Sequence, residues 1–174
     1  MRLAPELSHL QKEQEIKKYA KIYDLNFLVE TGIFEGKMIS GTHNFFEHIY
    51  SIELEKKYYD SAVEKFKGLP NVSIYNGNSV DVLKTLDILK NERCLIWLDA
   101  HDGKQSPALE ELEVIFDMSK QEHVILIDDM RNFNIREGYP DISKLINLIV
   151  RKRAEWSVLI NDDILRAGRL LDEE

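Results

Sequence analysis

Residues 27–36 read Phe-Leu-Val-Glu-Thr-Gly-Ile-Phe-Glu-Gly, and this stretch constrains the fold more than any other. A short apolar run ends in an acid, and two glycines, Gly32 and Gly36, bracket the segment that follows. The pattern marks a buried parallel strand that turns into a helix beneath a ligand. Glycine at such a turn lets the backbone approach the ligand, because no side chain stands between them. The next apolar run, Ile49-Tyr50-Ser51-Ile52, also ends in an acid, Glu53. Two carboxylates at neighbouring strand ends suit hydroxyl and amino groups better than a row of phosphates.

The rest of the chain repeats the strand-then-helix rhythm. From Glu6 to Tyr23 the apolar positions Leu7, Leu10, Ile16, Tyr19, Ala20 and Tyr23 recur near helical spacing. Strand 27–30, helix 36–46, strand 49–53 and helix 55–66 follow, and Gly68 and Pro70 punctuate the turn into strand 72–75. Ser79 is expected to cap a helix reaching about residue 90. Then come strand 94–99, a helix from Pro107 to about 118, strand 124–128, and a helix opened by Pro140-Asp141 that ends near 153. The last two apolar runs, 156–160 and 164–167, are separated only by Asn161-Asp162-Asp163, which predicts a hairpin of antiparallel strands. Five strand–helix units and a hairpin make a doubly wound, mostly parallel α/β sheet with a mixed edge.

With 174 residues this is one domain. A net charge of −8 argues against a nucleic-acid binder, whose affinity comes from coating phosphates with cations. The single cysteine, Cys94, excludes a disulfide scaffold and reads as a small buried hydrophobe. No signal-like segment opens the chain and no run is long enough to span a bilayer, so a cytoplasmic location and no membrane partner are expected. His9, His43, His48 and His123 lack metal-ligand spacing and read as surface or helix-end residues; Phe45-Phe46 and Tyr58-Tyr59 read as helix packing residues.

In such sheets ligands bind beyond the carboxyl ends of the strands. The residues there are Glu30, Glu53, Asn76-Gly77-Asn78, Asp99 and Asp128-Asp129. Acids after four of five strands would repel one another without a cationic or hydrogen-bond-donating ligand. Glu53 follows Gly32 by about twenty residues, where a carboxylate accepts ribose hydroxyls; its other reading is an acid facing the next helix's dipole. Glu30-Thr31-Gly32 suits the amino-acid end of a ligand, and Asn78 either reads an adenine edge or serves the turn. A Gly-x-Gly-x-x-Gly fingerprint is missing, Glu35 would repel a pyrophosphate, and no Gly-Lys-Ser/Thr loop occurs. These absences favour a ligand without phosphates.

Four segments, Val-Glu-Thr-Gly-x-x-x-Gly, Tyr-Ser-Ile-Glu-Leu, Asn-Gly-Asn-Ser and Ile-Trp-Leu-Asp-Ala-His, with the closing hairpin, resemble the class I S-adenosylmethionine-dependent methyltransferases over roughly residues 25–170. The resemblance implies a Rossmann-like sheet of seven strands, order 3-2-1-4-5-7-6, with strand seven antiparallel. It implies S-adenosylmethionine as cofactor, with Glu30, Thr31 and Gly32 beside the methionine part and Glu53 on the ribose. Asn78 and Ser79 fall on the adenine side, and Phe34, Leu54 and Asp99 complete the cofactor set. Residues 1–24 would form an N-terminal helix covering the site, and 25–174 the cofactor-binding domain. Where this chain has Asn78, many members carry Asp.

A narrower resemblance is to the metal-dependent O-methyltransferases of the catechol and macrocin types. It implies a divalent ion such as Mg²⁺ held by Asp99, Asp128 and Asp129, with His101 as the base that takes the acceptor's proton. Three carboxylates do suit a hard cation. The same residues have other readings: Asp99 touching only the cofactor, Asp128-Asp129 capping the next segment or pairing with Arg131 or Arg136, and His101 as an exposed loop residue or a substrate contact. The expectation is methyl transfer to an oxygen of a small or glycosidic acceptor. Its rivals are a nicotinamide-dependent oxidoreductase and a non-catalytic nucleoside-binding protein. The N-terminal helix and the loops 102–107 and 130–140 are the only segments expected to cover the pocket, which is then open or completed by a second copy in a homodimer.

Overall fold

The computed structural model describes residues 6–171. Seven strands form one sheet: β1 (Phe27–Thr31), β2 (His48–Glu53), β3 (Val72–Asn76), β4 (Cys94–Leu98), β5 (Val124–Ile127), β6 (Ser157–Asn161) and β7 (Ile164–Gly168). Their order is β3-β2-β1-β4-β5-β7-β6. The first five pair in parallel, and β7 runs antiparallel to both β5 and β6. The sheet is the doubly wound arrangement expected. The chain leaves β1 toward β2 on one side and returns to β4 on the other, so a cleft opens beyond the ends of β1 and β4.

The core explains why these segments are strands. All five residues of β4 and all four of β5 are buried, as a parallel sheet covered on both faces requires. Alternate residues serve opposite faces. Val29, Ile96 and Ile125 pack with the helices α4 (Ser79–Leu83), α5 (Ile88–Asn91), α6 (Ala108–Met118) and α7 (Ile142–Lys152). Leu28, Leu95 and Leu126 pack with α1 (His9–Ile22), α2 (Lys37–Thr42) and α3 (Lys56–Phe66). The β6–β7 hairpin closes through Asp162 and Asp163 at φ 46° and 69°, two left-handed residues as in a type I′ turn.

Three local expectations need correction. The helix expected over 79–90 is two short helices, because Thr85 Oγ1 donates to the Val82 carbonyl and Leu86 N–H to that of Leu83, which tightens and ends the first turn. Asn78, not Ser79, is its cap; the Asn78 side chain accepts from Val80 N–H at 2.9 Å. The helix expected over 36–46 stops at Thr42, where the chain turns and Asn71 Nδ2 ties down the carbonyls of His43 and Phe46.

Helix α1 begins in a capping box between Ser8 and Gln11 and buries Ile16, Tyr19 and Ala20. Arg166 on β7 anchors it. This guanidinium, 3% exposed, donates to Glu15 Oε2 at 2.7 Å and to the carbonyls of Asn161 and Ile164, and lies over the Tyr19 ring. The N-terminal turns of α1 are thereby held over the end of β5. Arg166→Ala, which removes one partner of a buried ion pair, is expected to cost about 3 kcal/mol in urea denaturation and to speed amide exchange in α1 more than in β4.

Candidate functional site

The ladder of strand hydrogen bonds continues past the strand ends and brings the candidate residues level. Gly32 N–H donates to Ile52 O, Asp99 N–H to Thr31 O, and Asp128 N–H to Leu98 O, at 2.9–3.1 Å. Gly32 has φ +87°, and a Cβ there would stand 2.7 Å from the Asp99 carbonyl oxygen. Only glycine allows β1 and β4 to end in such close contact. The loop then folds back on Glu53. One carboxylate oxygen, Oε2, accepts the N–H groups of Ile33 at 3.0 Å and Phe34 at 2.9 Å, and Oε1 accepts Glu55 N–H at 2.8 Å. Each carboxylate oxygen has two lone pairs, so Oε1 keeps one for a ligand.

A cavity of about 570 Å³ lies over these ends. It brings together Gly32, Phe34, Glu53, Leu54, Asn78, Ser79, Asp99 and His101. Tyr58, which the sequence placed in helix packing, also lines it and packs against the exposed Phe34, with ring centroids 4.8 Å apart and the rings tilted at 58°. Glu30 and Thr31 are not in this cavity. Glu30 lines a smaller one, about 190 Å³, together with His9, Lys12, Gly32, Phe34 and Asp99. Burial pushes its carboxyl up to about 8, against a short hydrogen bond from Ser51. The Thr31 side chain turns to the opposite face of the sheet, toward α6.

There it meets Glu111, which the sequence reading missed. Glu111 is wholly buried, and neither its oxygens nor Thr31 Oγ1 has a hydrogen-bond partner among the described residues. Burial raises its carboxyl to about 7, and the nearby Ser79 and Thr31 hydroxyls pull the other way. Another correction concerns His123, which is 1% exposed rather than on the surface. Its Nδ1 accepts Cys94 N–H at 3.1 Å, its Nε2 lies 2.8 Å from Ser119 Oγ, and burial lowers its pKa to about 4. Cys94 is buried as expected.

Asp99, Asp128 and Asp129 do converge, but protein cations and donors already occupy most of their oxygens. Asp128 Oδ1 accepts Asp129 N–H at 2.8 Å, and Oδ2 lies 2.5 Å from the Lys12 ammonium. Asp129 Oδ1 meets Arg131 at 2.9 Å and Lys12 at 3.7 Å, and Oδ2 accepts from Asn132 at 3.2 Å. Arg131 also bridges to Asp163. Burial, then the Asp128 charge, holds the Asp99 carboxyl well above the usual range. Burial lifts Asp128 to about 6 although Lys12 opposes it. His101 sits at the rim, with Nε2 3.8 Å from Asp129 Oδ2 and Nδ1 accepting Gly103 N–H at 3.2 Å. Asp99, His101 and Asp129 each bring a ligand atom within 4.8 Å of the others, but the Lys12 ammonium stands at 2.5 Å from Asp128 and 3.7 Å from Asp129, so these acids face a protein cation where a divalent ion would have to sit. The sequence signal for Lys12 was its position on the apolar stripe of α1, one turn before Ile16 and two before Tyr19.

No family model matches the sequence, and no curated protein matches it. Solved structures do. An S-adenosylhomocysteine-bound methyltransferase from Podospora anserina superposes with a TM-score of 0.70 at 16% identity, over 93% of this chain and 79% of that one. An O-methyltransferase from Bacillus cereus, also with S-adenosylhomocysteine, gives 0.69 at 15% identity over 95% and 84%. A Micromonospora echinaspora amino pentose methyltransferase bound to S-adenosylmethionine gives 0.67 at 11% identity over 94% and 92%. The fold is that of the class I S-adenosylmethionine-dependent methyltransferases.

Two outcomes follow from this geometry. Gly32→Ala should lower unfolding stability by roughly 2 kcal/mol in urea, from positive-φ strain and the contact with Asp99. For Glu111 the folded state keeps its proton between the ordinary pKa of 4.5 and about 7, whereas the unfolded chain releases it. Wild-type stability therefore falls as pH rises through that window, and Glu111→Gln lacks this component. In paired thermal or urea melts the Gln variant should gain up to about 3 kcal/mol relative to wild type above pH 7 and nothing below pH 4.5.

Proposed function

We propose that this chain is a cytoplasmic S-adenosylmethionine-dependent methyltransferase acting on an oxygen of a small or glycosidic acceptor. One observation carries the reading. The larger cavity is lined by five acidic residues, Glu53, Glu55, Asp99, Asp102 and Glu110, and among the described residues by no lysine or arginine. Such a lining repels a dinucleotide's pyrophosphate and attracts a nucleoside that carries positive charge and no phosphate. The neighbours' bound ligands agree with this choice.

When bound, S-adenosylmethionine supplies an electrophilic methyl group on a positively charged sulfur. Glu53 Oε1 accepts a ribose hydroxyl with the lone pair that Glu55 leaves free. Asn78 and Ser79 edge the adenine, and Leu54 and Phe34, both more than half exposed, cover its faces at the cavity mouth. Glu30 and Asp99 face the amino-acid end from the smaller cavity. His101 takes the acceptor's proton. Because Nδ1 accepts from Gly103, the neutral ring carries its hydrogen on Nε2, and the proton is received at Nδ1 once Gly103 N–H lets go. The protein otherwise supplies alignment and excludes water. Mg²⁺ enters no step, since Asp128 and Asp129 already face Lys12 and Arg131.

Isothermal titration and thermal shift test the reading. S-adenosylhomocysteine should bind and raise the melting temperature, and NADH should not. Glu53→Ala should weaken S-adenosylhomocysteine by ~1–3 kcal/mol. Stabilisation by NADH with none from S-adenosylhomocysteine would instead identify a nicotinamide enzyme.

A further inference from the structure

We infer that the ammonium of Lys12, carried in by α1, holds the position a divalent cation takes in a three-carboxylate site, and that this chain's site is built to work without a metal. The inference does not depend on which nucleoside fills the larger cavity.

The side chain of Lys12 is 12% exposed and contacts both Asp128 and Asp129. Its nitrogen is therefore close to where an ion shared by these acids would sit. A dication there would stand beside the ammonium in a region of few waters, where like charges repel strongly. Binding the metal would require Lys12 to withdraw, leaving a buried cation to find new partners. Withdrawal is also opposed from a distance, because the Glu15–Arg166 pair pins α1 to β7 one turn further along. Arg131 reinforces the arrangement by joining Asp129 to Asp163. Two protein cations thus balance most of the charge that a metal would balance.

The test uses Mn²⁺ as probe on chelator-treated protein, followed by calorimetry and by the ion's electron paramagnetic resonance signal. Wild type should show no saturable binding and the same melting temperature with Mn²⁺ as with EDTA. Lys12→Met, which frees the carboxylates, should gain one Mn²⁺ site at least ~10-fold tighter than any wild-type binding, and Lys12→Met with Asp128→Asn should lose it. A folded Lys12→Met variant that gains no site would overturn the inference. So would a wild-type Mn²⁺ site that Asp128→Asn weakens, and this comparison decides the matter even if Lys12→Met fails to fold. S-adenosylhomocysteine titrated into the same wild-type sample reports on the nucleoside site separately, so the two readings fail independently.

Discussion

The backbone N–H groups of Ile33 and Phe34 converge on one oxygen of Glu53, and the order of the strand ends depends on this clasp. It holds the glycine loop of β1 against the end of β2. Gly32, drawn in with it, touches the backbone of Asp99 at the end of β4. Three adjacent strands are thereby locked in register at the point where the sheet reverses its order. A carboxylate with several backbone N–H partners is held rigid. The same group that organises the loop is thus preorganised to accept a ligand's hydroxyl, and the loop's own amides are turned inward rather than toward a phosphate.

Charge sets the character of the site. A chain of net charge −8 gathers acids at every central strand end. On the side of the larger cavity the described residues place no lysine or arginine among them, which leaves a field that favours a cationic nucleoside. Beyond Asp99 the pattern changes. Lys12 and Arg131 enter from α1 and from the turn after β5, and the acids there become ion pairs. The boundary falls at Asp99, which lines both cavities.

Much of this was legible in the chain. Period-two burial does not show in Cys-Leu-Ile-Trp-Leu or Val-Ile-Leu-Ile, and that absence of alternation is what a sheet covered on both faces produces. The hairpin across Asn161-Asp162-Asp163 was readable because few other connections fit so short a polar gap, and the structure narrows its turn to Asp162-Asp163. Most cofactor candidates share one cavity because strand ends are brought level by a ladder that sequence order alone predicts. What escaped was whatever depends on side chains arriving from distant elements. Thr31 and Glu30 are neighbours in sequence, yet a strand sends them to opposite faces, one toward Glu111 and one toward Lys12. His123 reads as a surface or helix-end histidine until Cys94 and Ser119 close around it. Lys12 lies some 116 residues from Asp128, and its place on the apolar stripe of α1 shows that it faces inward but not which acid it meets.

The central claim is that a sulfonium nucleoside lies across the ends of β1 and β2, gripped by Glu53. A crystal structure of the chain grown with S-adenosylhomocysteine tests it most directly. The account predicts the nucleoside in the larger cavity, a ribose hydroxyl on Glu53 Oε1 and the sulfur directed toward Asp99 and the smaller cavity. A saturated crystal with that cavity empty, or with the ribose held away from Glu53, would contradict it.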